Sequence, residues 1–302
     1  MIRIDAHTHV FQRVAGFARR GELCAIGNGK ARWANGEEIQ LIPEGVGDKS
    51  FQADTLVKLL RENGMDKAVL LQGSFYGFDN HYVWQAAQQY PDVFVPAATF
   101  DPFCQQAGEL LDYCLNKLNF RVFKFETSSG GGLMGYHRDF AIDGPVFEEI
   151  FAKIAASGSV LVLDIGSPGM ASFQPRAVAS VARRYPQMHI ILCHLLAPTP
   201  GDEAPLEKAL EELSLENIWL DLAAMPWNVY PEAYPYPTAQ KFLSIAKDTV
   251  GSARLLWGSD VPSTLTRESY KGQMQWVEES GLFSAGELEG VMGGNAMAAY
   301  ML

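Results

Sequence analysis

Short runs of apolar, β-branched and aromatic residues alternate along this chain with longer stretches in which apolar positions recur every three or four residues. The runs lie at 1–7 (MIRIDAH), 67–73, 93–100, 120–126, 159–166, 189–195, 217–223 and 253–260. Between them, helical periodicity predicts helices over 53–63, 80–90, 104–118, 145–157, 173–185, 203–214, 238–250 and 267–280. Eight strand patterns, each followed by a helix, predict a single α/β domain over 1–302, a (β/α)8 TIM barrel. The nearly unbroken apolarity of the strands suits a parallel sheet covered on both faces. An open doubly wound sheet is the alternative, and no G-x-G-x-x-G follows the first strand to support it.

Two connections exceed the length of simple turns. The segment 11–52 contains KARWANGEEIQLI, where Asn35-Gly36 between alternating residues predicts a β-hairpin with a type I′ turn. The segment 127–144 contains TSSGGGLMGYH. Both leave C-terminal strand ends, the barrel face that carries active sites, so they are read as a lid and a mobile wall. Gly130-Gly131-Gly132 lacks the G-x-x-x-x-G-K-[ST] pattern of a phosphate loop.

Composition narrows the function classes. Thirty-five acids against 24 bases give a formal charge of −11, which argues against a surface that tracks nucleic-acid phosphates. No apolar run approaches the ~18 residues of a membrane span, and the start has no secretory pattern. The four cysteines (Cys24, Cys104, Cys114, Cys193) form no CxxC, which suits a reducing cytoplasm. A small-molecule partner is expected, and a homo-oligomer stays open.

The polar residues at the strand ends carry the chemistry. Asp5, His7 and His9 alternate along the first strand and are expected on one face. Strand 4 ends in FKFE with Lys124 and Glu126 on one face, strand 5 at Asp164, strand 6 at His194 and strand 8 at Asp260. Each ionisable group follows an apolar run, where burial without a partner is costly. Their convergence on one rim is explained by a bound cation. A metal-free polar network is the competing reading.

DAHTHVF, CHL and GSDVP, in this order at strands 1, 6 and 8, resemble the amidohydrolase superfamily. The amidohydrolase-2 group, with its lactonase-like and aminocarboxymuconate-semialdehyde decarboxylase-related branches, is the most similar. The stretch VLLQGSFYGFDNHYVWQAAQQYPDVFVPAATFDP resembles the lactonase-like branch, and MGGNAMAAY resembles the helix that closes these barrels. The resemblance implies His7 and His9 as ligands of one divalent metal ion, zinc with manganese as the alternative. It implies Asp260 as a ligand and proton carrier, and His194 as a ligand or acid/base group. Many relatives carry a histidine where this chain has Asp164, so Asp164 and Glu126 join the candidate ligands. Lys124 stands where binuclear relatives hold a carbamylated lysine, but Glu126 lies nearer the strand end, which favours a mononuclear site.

The remaining candidates are ranked by position. His137 and Arg138, in the loop after strand 4, are offered as substrate contacts, Arg138 as a clamp for a carboxylate; Lys124 is grouped with them. Trp227, in MPWNVYPEAYPYP after strand 7, is expected in an aromatic pocket wall. His81, His189 and Cys193 are assigned surface or packing roles, with Cys193 pointing away from the site. Trp33 is assigned to hairpin packing and Trp257 to barrel packing. The function expected is metal-dependent hydrolysis of a lactone or related ester of a small polar carboxylic acid. A non-oxidative decarboxylase and a non-catalytic metabolite- or metal-binding barrel are the alternatives.

Overall fold

The computed structural model describes residues 2–302. Eight parallel strands form the barrel sheet: β1 (Ile4–Thr8), then β6 (Lys67–Leu70), β7 (Phe94–Ala98), β8 (Val122–Glu126), β9 (Val160–Asp164), β10 (Ile190–Leu192), β11 (Ile218–Asp221) and β12 (Leu255–Leu256). The ring closes between its ends, where the Ala6 amide donates to Trp257 O (3.1 Å), the Asp260 amide to His7 O (2.8 Å) and the His9 amide to Val261 O (3.0 Å). The intervening β2 (Ala15–Ala18), β3 (Gly21–Gly27), β4 (Lys30–Trp33) and β5 (Glu38–Gln40) form a separate antiparallel sheet. The (β/α)8 expectation therefore holds, with one sheet inserted after β1.

Helices α1 (Ala53–Glu62), α2 (Asn80–Gln89), α3 (Ala107–Asn116), α4 (Pro145–Ala156), α5 (Pro175–Arg184) and α6 (Glu203–Leu213) follow successive strands. After β11 come the single turn α7 (Met225–Asn228) and α8 (Pro237–Val250); α9 (Tyr270–Glu278) follows β12. Their periodicity is that of surface helices: α1 buries Ala53, Leu56, Val57 and Leu60, one stripe at helical spacing. Local chemistry sets the starts. The Asp79 side chain accepts from the Tyr82 amide at α2, and Ser269 accepts from the Gly272 amide at α9. None of the described helices is long and apolar enough to cross a membrane.

The barrel interior is filled by Ile4, Ala6, Val69, Val122, Val162, Ile191, Trp219 and Leu256, all buried. Beyond α10 (Ala285–Glu289), its N-terminal end is plugged by the last helix, α11 (Asn295–Ala299). Ala296, Ala299 and Tyr300 join the interior cluster, and the Tyr300 hydroxyl donates to Ala6 O (3.1 Å). His189 is held at this end, its Nδ1 3.0 Å from Ala299 O and its ring on Trp219. The open end of the barrel thus lies at the C-terminal ends of the strands.

The hairpin expected at Asn35-Gly36 is present, but its turn differs. The Gly36 amide donates to Trp33 O (2.8 Å), the Trp33 amide to Glu37 O (2.9 Å), and only Gly36 of this pair has a positive φ (90°). This is a three-residue connection ending in a left-handed glycine; a type I′ turn would need Asn35 there too. Glu38 is drawn back to Arg32 (2.6 Å), across the register Arg32↔Glu38.

The glycine-rich loop packs against the strand ends, with the Gly132 amide on Ser128 Oγ (3.0 Å) and with Leu133 and Met134 buried. A Cβ on Gly132 would stand 2.3 Å from Glu126 O and 2.7 Å from the Ser128 amide nitrogen, both backbone atoms that cannot swing aside. Gly132→Ala is therefore expected to cost about 1–3 kcal/mol, read as a lower urea midpoint at unchanged m.

Candidate active site and metal centre

Strand β1 delivers its polar residues to two different faces. Its register with β6 shifts between Asp5 and Thr8, which breaks the alternation that would have aligned Asp5, His7 and His9. Asp5 turns toward α9, where it accepts from the Ser259 amide (2.9 Å), Ser259 Oγ (2.5 Å), Tyr270 OH (2.7 Å) and the His7 amide (3.2 Å). Burial pushes its carboxyl up to about 7 against these bonds. Asp5 is a structural tie between β1 and the strand that closes the barrel.

His7 and His9 enter the barrel mouth. His7 Nδ1 donates to Asp221 Oδ2 (2.9 Å), so its Nε2 carries the lone pair; that atom is buried and has no hydrogen-bond partner. His9 Nδ1 donates to Leu71 O (2.9 Å), and its Nε2 faces Asp260 Oδ1 at 2.9 Å. Burial lowers the basicity of both rings, that of His9 to about 4. At neutral pH two acceptors therefore meet at 2.9 Å, an arrangement that calls for a positive charge beside them.

His194 reaches the mouth by an unusual backbone. Strand β10 ends at Leu192, and His194, Leu195, Leu196 and Ala197 all take left-handed φ values of 48–67°. Such residues cost roughly 1–2 kcal/mol each, a strain held here by surrounding bonds. The His194 amide donates to Asp221 Oδ1 (2.8 Å), and its Nδ1 lies 3.2 Å from Ala223 O. Burial lowers the basicity of its imidazole, but the negative charges of Asp260, Asp164 and Asp221 outweigh it and raise the net value. Cys193 continues the alternation of Ile191 and points into the barrel interior, opposite to expectation, where it packs as a buried thiol; the left-handed turn brings His194 inward as well. Burial raises its pKa well above the ordinary thiol value.

Asp260 also has a left-handed φ (61°). Burial disfavours its charge, yet His9, His7 and His194 around it hold its carboxyl well below the usual range. Ligand atoms of His7, His194 and Asp260 lie within 4.8 Å of one another, and His9 Nε2 abuts the same carboxylate. An orphaned imidazole nitrogen, a carboxylate and a second facing imidazole form a donor set that fits a divalent cation.

Asp221, at the tip of β11, is not among the residues singled out from the sequence, although it follows an apolar run as Asp164 and Asp260 do. It is fully buried and binds His7 Nδ1, the His194 amide and the Ala223 amide (3.1 Å). Burial works against its charge, but His7 and His194 lower its pKa on balance. It orients two candidate ligands from behind.

The other expected site residues separate. Asp164 accepts from the Gly166 amide (2.9 Å) and lies 3.8 Å from His194 Nε2. Glu126 points between Gly73 and Gly131: a Cβ on Gly73 would fall 2.1 Å from its Oε2. Neither belongs to the tight ligand cluster, though both line the cavity above it. Burial pushes Glu126 up to about 7, with Lys124 opposing. Lys124 is buried in the cavity floor; desolvation disfavours its charge, but Cys193, Glu126, Asp164 and Asp260 raise its pKa on balance.

The cavity over this floor measures about 890 Å³. Trp227 lines it, as does Trp33, which the sequence assigned to hairpin packing alone. His137 and Arg138 do not line it. His137 is bound to Asp101 (2.7 Å) and stacked on Phe103, and Arg138 is exposed on the outer side of the loop. His81 lies on the surface, its Nε2 3.1 Å from Tyr113 OH.

Comparison with known proteins places this geometry. An L-fucono-1,5-lactonase of Burkholderia ambifaria is 25% identical over 320 residues, covering 99% of this chain and 96% of that protein. The crystal structure of an amidohydrolase from Burkholderia multivorans with bound zinc superposes with a TM-score of 0.77 at 21% identity, over 100% of both chains. A probable 2-pyrone-4,6-dicarboxylic acid hydrolase from Acinetobacter baumannii, with citric acid bound, superposes with a TM-score of 0.72 at 18% identity, again over 100% of both. The family model described as amidohydrolase matches residues 4–302. The chain belongs to the amidohydrolase family.

Proposed function

We propose that this chain hydrolyses a lactone or related cyclic ester of a small polar acid, with a divalent metal ion held by His7, His9, His194 and Asp260. The observation that carries the reading is the floor of the cavity. There the buried His7 Nε2 has no partner, and His9 Nε2 and Asp260 Oδ1 face each other as acceptors. The full-length similarity to an L-fucono-1,5-lactonase supports a lactone as substrate.

When bound, the ion supplies electrophilic polarisation and lowers the pKa of water toward ~7. Asp260 accepts the proton of the attacking water and returns it to the departing alkoxide, a transfer that a carboxylate at this position can make twice per turnover. His194 turns Nδ1 to Ala223 O and its amide to Asp221, which leaves its Nε2 to complete the donor set of the ion. Lys124 adds a positive charge beneath the same volume. Trp227 and Trp33 close apolar walls against bulk water.

Elemental analysis of protein purified without chelator tests the metal half of the reading. About one equivalent of zinc or manganese is expected, and its loss in the His7→Ala/His9→Ala double variant. Proton release from a panel of 1,5- and 1,4-lactones tests the chemistry. Persistent absence of metal under replete conditions would overturn the metal assignment. Carbon dioxide release from an unsaturated carboxylate, without consumption of water, would replace hydrolysis by decarboxylation.

A further inference from the structure

Arg267 stands at the mouth of the same cavity, and the reaction as described does not use it. It follows the turn Ser263–Thr266, and its guanidinium carbon lies 3.7 Å from the ring centroid of Trp227 and 4.2 Å from that of Tyr230. Both rings belong to the proline-rich segment after β11. The adjacent acid does not neutralise it: Glu268 is engaged by the Tyr236 hydroxyl and by Ser269. Among the described residues, no ion pair of the chain includes Arg267.

A guanidinium that lies over aromatic faces directs its N–H groups away from the ring centres, so its edge is left to bond. That edge is a planar fork matched to a carboxylate. The stacking also restricts the side-chain rotamers before any ligand arrives, which lowers the entropic cost of binding. Arg267 borders both the main cavity and a side cavity of about 490 Å³ that shares Trp227 with it. Arg19 and Arg20, at the tip of the β2–β3 hairpin, line the main cavity too, and Arg20 is already paired with Glu37 (2.6 Å). Basic groups thus gather at this rim on a chain of net charge −11, above a floor that carries Glu126, Asp164 and Asp260.

We propose that Arg267 is a specificity-determining residue whose edge binds a carboxylate carried by the substrate at the end remote from the scissile ester. The proposal rests on the lactone-hydrolase reading for the reacting end, and it assigns the class of the other end: anionic rather than a neutral hydroxymethyl. Held in this way, the substrate would span from the rim to the histidine floor in one orientation.

Calorimetric titration of the metal-replete full chain with D-glucarate and D-gluconate, acids that differ in a terminal carboxylate, is the test. Wild type is expected to bind glucarate more tightly. Arg267→Met is expected to lower the glucarate-to-gluconate affinity ratio about 10- to 100-fold, the scale of a lost charge-assisted pair. Arg267→Lys, which keeps the charge and loses the fork, should fall between. In turnover, the preference for the glucarate-derived lactone over the gluconate-derived one should fall by the same factor, through KM. An unchanged ratio in Arg267→Met, or equal weakening of both acids in both variants, would overturn the proposal and leave Arg267 as a packing residue. If neither lactone is hydrolysed, the hydrolase reading fails by itself, and the binding ratio still decides the role of Arg267.

Discussion

Asp260→Asn is expected to lower kcat by about 10²- to 10⁴-fold at saturating metal, with a much smaller change in KM. Two features make asparagine the informative substitution. Asp260 has a φ of 61°, a region that asparagine tolerates better than most residues, so the backbone bond from its amide to His7 O should survive. The amide also keeps an oxygen facing His9 and the metal position, while it cannot accept and return a proton. Steady-state kinetics with metal content measured in the same samples would separate the two losses. Full turnover in a metal-loaded Asp260→Asn protein would show that another group carries the proton, and Glu126, on the same cavity wall with its carboxyl near 7, would be the next to test.

The second large effect is expected at Asp221, behind the ligands. Its carboxylate takes bonds from His7 Nδ1, the His194 amide and the Ala223 amide with no exposure to solvent. Asp221→Ala leaves three buried N–H donors without their acceptor, a change that costs about 1–3 kcal/mol for each. The same carboxylate fixes the His7 tautomer that presents Nε2 to the site, so metal affinity should fall about 10- to 100-fold as well. Asp221→Asn keeps the volume and one acceptor, and should lose metal affinity with less loss of fold. Urea midpoints and competitive metal titration measure the two effects. Metal affinity equal to wild type in a folded Asp221→Asn protein would remove Asp221 from the ligand support.

These two residues mark opposite outcomes of reading the chain. Asp260 was visible because it follows an apolar run at the end of a strand pattern. Asp221 follows the run NIWL in the same way, yet nothing local separates it from an acid at the start of a loop. Its importance comes from His7 and His194, 214 and 27 residues away. The carboxylate clamp proposed above shows the same limit. Arg138 and Arg267 both lie in loops after strands, and only the path of each loop leaves one exposed away from the cavity and lays the other over Trp227 and Tyr230.

The alternation of apolar strands and amphipathic helices was enough to specify the barrel, because burial of those faces is a local, periodic demand that the chain meets in one way. It also placed His7, His9, His194 and Asp260 at strand ends. The faces they occupy were decided by the folded chain. The register shift in β1 turns both histidines inward while Asp5 stays outward, and the left-handed turn after β10 brings His194 inward although Cys193 before it already faces in. A two-residue period predicts a face only while the strand stays regular. At the rim that regularity ends, and each backbone angle is set by hydrogen bonds to residues far away in sequence, such as Asp221 for His194 and His7 for Asp260.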